Sequence, residues 1–132
     1  MGKKAKILLV EDDLLMARMY QEKFKRDGYE VFVASDGEEG LKVLEEIYEE
    51  KKLPDIILLD IMMPKMNGFD MLSILKKDPR FKKIPVVLLT NLAGNPKDEE
   101  RGKKLGALDY WVKSEFTPRE IVEKVQKLLQ SR

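Results

Sequence analysis

The 132-residue chain has the length of a single domain around one hydrophobic core, and its 43% apolar content argues against intrinsic disorder. Its 25 Lys and Arg against 24 Asp and Glu leave a net charge of +1, a surface of mixed sign with no drive toward nucleic acid or a membrane. The absence of Cys and His excludes disulfides, thiolate and imidazole metal sites, thiol catalysis and phosphohistidine, so any chemistry rests on carboxylates, Lys, hydroxyls and backbone.

The basic start, Met1 to Lys6, is followed by only four apolar residues, Ile7 to Val10, too few for a signal peptide or a membrane span, so a cytoplasmic protein is expected. That run is apolar on both alternating faces, as in a parallel strand covered by helices. Met16, Met19, Tyr20 and Phe24 then form one stripe of an amphipathic helix, closed by Gly28 where a left-handed cap belongs. Glu30 to Ala34 predicts a second strand. Asp36, with Glu39 three residues on, predicts a capped helix start, with Leu41, Leu44, Ile47 and Tyr48 facing inward.

A third apolar run, Ile56 to Leu59, stops at Asp60. Pro64 and Gly68 bracket a loop, and Asn67 predicts the cap of a helix that buries Met71, Leu72 and Leu75 and ends at Asp78-Pro79. Ile84 to Leu89 predicts a fourth strand ending at Thr90, and Asn95-Pro96 opens a fourth helix. That helix, Lys97 to Lys104, is nearly all polar and therefore weakly anchored. Leu108 to Val112 predicts a fifth strand ending at Lys113. Thr117-Pro118 starts a last helix with Ile121, Val122, Val125, Leu128 and Leu129 inward. Five strands alternating with five helices predict one α/β domain over residues 1–132, a parallel sheet with helices on both faces.

The polar residues at the ends of the apolar strands carry the chemistry. Glu11, Asp12 and Asp13 come after the first strand, Asp60 after the third, Thr90 after the fourth and Lys113 after the fifth. In an open parallel sheet these carboxyl ends share one edge, where ligands bind. Each residue alone has a plainer reading as a helix cap, a strand residue or a surface charge; their joint placement argues for a site. Clustered carboxylates repel, and oxygen-only ligation points to Mg²⁺, with Glu11, Asp12, Asp60 and a backbone carbonyl as ligands. Asp60 would act as nucleophile toward a phosphoryl group, with Thr90 and Lys113 on its remaining oxygens.

Leu8-Leu9-Val10-Glu11-Asp12-Asp13, Leu58 to Pro64 with Asn67-Gly68, Leu88-Leu89-Thr90 and Gly106 to Lys113 together resemble the receiver domains of two-component response regulators, from about residue 6 to residue 130. The resemblance implies a flavodoxin-like (βα)5 fold with strand order 2-1-3-4-5. It puts the phosphoacceptor at Asp60, the metal-binding acids at Glu11 and Asp12, and a third protein ligand at the Met62 carbonyl. The phosphate-contacting pair falls on Thr90 and Lys113, and the aromatic switch on Tyr110, for which simple packing is the alternative. Asp13 reads better as the cap of the first helix. The implied partners are a histidine kinase or phosphotransfer protein and a downstream protein target. The target would meet the face made by the fourth helix, fifth strand and fifth helix, in a monomer or a phosphorylation-dependent dimer. Such a chain catalyses its own phosphorylation without being a metabolic enzyme, and no output domain or DNA-binding motif is expected after the last helix.

The chain departs from the family pattern in places. Ser114, not proline, comes after Lys113, so either a trans bond with a rerouted loop or a strained bond is expected. Asn91 replaces a small residue after Thr90. Met62 and Leu92 flank the site and neither orients a water by hydrogen bonding, which predicts a long-lived aspartyl phosphate. Three other functions compete. A flavin or nucleotide binder would need a phosphate cradle after the first strand, where three acids stand instead. An aspartyl phosphatase would place an acid at Met62. A degenerate receiver that only binds partners would not need Glu11, Asp12, Asp60, Thr90 and Lys113 together.

Overall fold

The computed structural model describes residues 5–91 and 96–131. Strands and helices alternate along the chain: β1 (Lys6–Val10), α1 (Leu14–Arg26), β2 (Glu30–Ala34), α2 (Gly37–Glu49), β3 (Ile56–Asp60), α3 (Gly68–Lys77), β4 (Val86–Thr90), α4 (Pro96–Lys104), β5 (Asp109–Val112) and α5 (Pro118–Gln130). All strand pairings are parallel and the sheet order is β2-β1-β3-β4-β5. β3 and β4 are buried along their whole length, which is why they read as unbroken apolar runs.

Two apolar layers cover the sheet. Leu8, Ile57, Leu59 and Leu88 face Leu44, Met71, Leu72 and Leu75 of α2 and α3 on one side. On the other, Ile7, Leu9, Leu58 and Leu89 face Tyr20 and Phe24 of α1 and Ile121 and Val125 of α5. Successive strand residues thus serve opposite layers, as the period-2 alternation of a strand requires.

The expected caps form. Asp13 Oδ1 accepts from the Leu15 and Met16 amides, Asp36 Oδ1 from Glu39, and Asn67 Oδ1 from Asp70. Thr117 and Glu120 complete a reciprocal capping box, and Gly28 takes φ +93° after α1. Pro96 is the first residue of α4; the expected Asn95 cap lies outside the described residues, as does Leu92.

Other expectations need correction. Met19 is 43% exposed, because the buried face of α1 runs through Ala17, Tyr20 and Phe24, with Met16 partly buried beside it. Tyr48 is likewise exposed, leaving Leu44 and Ile47 with Gly37 and Gly40 as the buried face of α2. β4 begins at Val86 and β5 at Asp109, each later than the apolar run suggests. Leu108 is exposed, although its amide still donates to the Val86 carbonyl at 2.7 Å. In α5, Leu128 and Leu129 are only partly buried. No peptide bond among the described residues is cis, so the Lys113–Ser114 bond is trans, and a short 3-10 turn at Lys113–Glu115 absorbs the missing proline.

Candidate functional site

The carboxyl ends of β1, β3, β4 and β5 meet at one edge because neighbouring parallel strands are in register: Val10 with Leu59, Asp60 with Leu89, Thr90 with Val112. Glu11, Asp60, Thr90 and Lys113 are the buried polar residues among those described, none more than 3% exposed. The other buried side chains among the described residues are hydrophobic, Tyr20 and Trp111 included, so buried charge is confined to this edge. Burial of ionised groups is costly unless they are paired, and here they are paired with each other.

The Lys113 ammonium donates to Glu11 Oε1 and stands 3.4 Å from Asp60 Oδ2. Glu11 Oε2 accepts from the Asp13 amide at 3.1 Å, which holds the carboxylate turned into the site. Asp60 Oδ1 accepts from the Met62 amide at 3.3 Å. Asp12 is exposed at the rim, yet Glu11, Asp12 and Asp60 each offer a carboxylate oxygen within 4.8 Å of the others. Asp13 is occupied as the α1 cap, and its side chain is exposed.

The charges do not balance. One ammonium faces two buried carboxylates and a third at the rim. Burial pushes the Asp60 carboxyl up to about 8; Lys113 opposes the shift, and the nearby Glu11 adds to it. Such a site favours either a proton or a further cation. The donor set contains oxygen only, converges within ligand distance and carries excess negative charge, which suits a small hard divalent cation such as Mg²⁺.

Thr90 ends β4, and Tyr110 on β5 pairs with Leu88, two residues before it. The Tyr110 ring is partly buried. Its hydroxyl is shielded from solvent and makes no hydrogen bond of standard geometry among the described residues, although Thr90 lies close enough to draw its pKa down against a net upward shift led by burial. Met62 is 58% exposed at the mouth, and Asn91 is exposed beside Thr90.

Two neighbours of the site are not evident as such in the sequence. Gly68, at the first position of α3, packs directly on the strand end: a Cβ there would stand 2.5 Å from the Asp60 carbonyl oxygen and 2.9 Å from Ile61 Cα. Its amide donates to the Ile61 carbonyl at 3.0 Å. The signal for this contact is a glycine, a poor helix former, placed directly after a cap. Tyr20 lies beneath the site, fully buried, its hydroxyl pushed up to about 12 by burial, with Glu11 and Asp60 adding to the shift. An aromatic in a helix stripe gives no sign of that proximity.

Residues 7–126 match the family described as response regulator receiver domain. The chain is 37% identical over 126 residues to a probable transcriptional regulator, ycf27, of Cyanophora paradoxa, covering 96% of this chain and 48% of that protein. It thus spans about half the length of the curated relatives it matches. Among solved structures it is similar to the Vibrio cholerae chemotaxis protein CheY4 (30% identity, TM-score 0.81, 95% of this chain and 98% of that one). It is also similar to the phosphorylated cyanobacterial phytochrome response regulator RcpA (32% identity, TM-score 0.85, 98% and 96%). An acidic strand-end pocket on a 2-1-3-4-5 parallel sheet, matched from β1 into α5, makes this chain a member of the response regulator receiver domain family of two-component systems.

Proposed function

We propose that Asp60 accepts a phosphoryl group from a phosphohistidine-bearing protein, and that the domain acts as one switch unit. The observation that carries this reading is the burial of Asp60 between Glu11 and Lys113 at the shared strand edge. A carboxylate oxygen of Asp60 attacks phosphorus and forms a new O–P bond as the N–P bond of the donor breaks. The leaving imidazole nitrogen takes up the proton. Lys113 swings from the carboxylates to the transferring oxygens, and the Thr90 hydroxyl donates to another. Glu11, Asp12 and Asp60, with the Met62 carbonyl, would hold Mg²⁺, which neutralises charge on the phosphoryl oxygens.

A protein donor is supported by the surroundings of the mouth. Leu14 and Leu15, immediately after the acidic triplet, are 75% and 72% exposed, and Met19 and Met62 are exposed as well. Apolar side chains so placed favour a partner surface over a small soluble donor alone. The readout face is supported by a groove of about 410 Å³ between α4 and α5, lined by Pro96, Glu99, Tyr110, Trp111, Phe116 and Lys124. Movement of Tyr110 would reshape that groove and so alter binding of a downstream protein. No helix among the described residues is long and apolar enough to cross a membrane.

The test is intact-mass spectrometry of the chain after incubation with Mg²⁺ and a small phosphoramidate donor. A single phosphoryl adduct on the wild type, absent from Asp60→Asn, is expected. No adduct on the wild type would overturn the reading.

A further inference from the structure

Among the described residues, the helix α4 buries little of its surface against the rest of the molecule. Its sequence is Pro-Lys-Asp-Glu-Glu-Arg-Gly-Lys-Lys, and Gly102 is its one buried residue. Nine residues are too few for a helix to persist in water unaided, so packing must hold it. Gly102 and Arg101 supply part of that packing, and Leu105, just past the helix end, is packed against the same core. Gly102 sits so close to β4 that a Cβ would stand 2.4 Å from Leu88 Cδ1 and 3.8 Å from the Phe69 ring. Beside it, the Arg101 guanidinium lies 4.3 Å above the centre of that same Phe69 ring. Arg101 makes no ion pair among the described residues, so the ring is its partner there.

Phe69 is itself tied to the acidic site. It is buried, and it comes directly after Gly68, which leaves no room for a Cβ beside the Asp60 carbonyl. The loop between them is fastened at both ends, by the Met62 amide on Asp60 Oδ1 and by the Gly68 amide on the Ile61 carbonyl. Conversion of the Asp60 carboxylate to an acyl phosphate changes the acceptor at the first fastening. The loop would re-seat, and Gly68, whose Cβ position is already filled by the Asp60 carbonyl, would move and carry the adjoining Phe69 with it.

We propose that Arg101 and Phe69 form a clasp that holds α4 in its resting position, and that modification of Asp60 releases it through Gly68. This route leaves the site on the β3–α3 side and does not pass through Thr90 and Tyr110. It rests on the reading of Asp60 as phosphoacceptor. The cation-on-ring contact has the strength of other such pairs near a protein surface, enough to shift a local opening equilibrium about fivefold.

Hydrogen exchange of the amides over residues 96–104 tests the clasp, with intact mass measured on the same samples. In the unmodified protein, Arg101→Ala should exchange about fivefold faster in α4, with α3 and α5 unchanged. Phe69→Leu, which keeps an apolar core residue but removes the ring, should do the same, and the double variant should add little to either. Phosphorylation should accelerate α4 exchange in the wild type and add almost nothing in Arg101→Ala. Unchanged α4 exchange in unmodified Arg101→Ala overturns the clasp, whatever Asp60 does. An equal phosphorylation increment in wild type and Arg101→Ala, with the adduct seen by mass, overturns its release by Asp60 while leaving the phosphoacceptor reading intact. Absence of the adduct fails that reading and the release together.

Discussion

Lys113 stands between two buried carboxylates, paired with Glu11 and 3.4 Å from Asp60 Oδ2. One cation serving two anions leaves the metal-free site short of positive charge, and that deficit has measurable consequences.

The first concerns pH. A carboxyl whose pKa is raised by folding keeps a proton that the unfolded chain releases, so stability falls as pH climbs through the interval between the two values. For Asp60 that interval runs from 3.8 to about 8. Chelator-treated protein should lose stability over this range, and Asp60→Asn should be the more stable form at pH 8, by on the order of 2 kcal/mol. Mg²⁺ should stabilise the wild type at pH 8 more than it does Asp60→Asn. Urea unfolding at several pH values reads all three effects, and a wild-type profile that is flat from pH 5 to 8 would contradict the charge deficit.

Removal of the cation should be worse than removal of an anion. Lys113→Met leaves Glu11 and Asp60 buried without their partner and should destabilise metal-free protein by about 3 kcal/mol. Mg²⁺ should recover part of that loss. The comparison with Glu11→Gln is decisive, because Glu11→Gln relieves repulsion and should cost much less. Equal losses for the two variants would show that Lys113 is held by packing alone.

Gly68→Ala opposes two effects. Alanine is the better helix former by about 1 kcal/mol. Its Cβ, however, would stand 2.5 Å from the Asp60 carbonyl oxygen, a backbone atom in a buried strand. The clash should prevail, with a net loss of about 1–3 kcal/mol and slower phosphoryl uptake as Asp60 is pushed out of register. Thermal unfolding that shows Gly68→Ala to be more stable would mean that α3 can slide.

Much of the fold is legible in the sequence because it is local. Asp13, Asp36, Asn67 and Thr117 cap helices through contacts two or three residues away, and Gly28 supplies a left-handed turn. Such features depend on neighbours in the chain. The convergence of Glu11, Asp60, Thr90 and Lys113 is readable because parallel topology brings strand ends to one edge. Contacts between distant residues are not readable. The Lys113–Glu11 pair joins residues 102 apart, and Arg101 meets Phe69 only after the sheet is assembled. Met19 departs from expectation because a stripe of large residues does not say which edge of it solvent takes. The small Ala17 lies on the buried side instead.

Met62 bears on the lifetime of the modified state. It is exposed two residues from Asp60, and a thioether does not orient an attacking water. Met62→Asn adds a group that does, and should shorten the half-life of the phosphoryl adduct by roughly tenfold. The time course of adduct loss after donor removal measures this. An unchanged rate would mean that water reaches Asp60 by a path Met62 does not border.

On the proposed function, the phosphoryl group resides on Asp60 as an acyl phosphate. Borohydride reduces an acyl phosphate to an alcohol but leaves carboxylates and phosphate esters alone, so peptide mapping after reduction reads the site directly. Homoserine is expected at position 60 in protein treated with Mg²⁺ and phosphodonor, and unmodified aspartate there when donor is omitted. Reduction at Asp12 or Asp13 with Asp60 intact, or a phosphoryl group that survives borohydride on Thr90, would contradict that assignment.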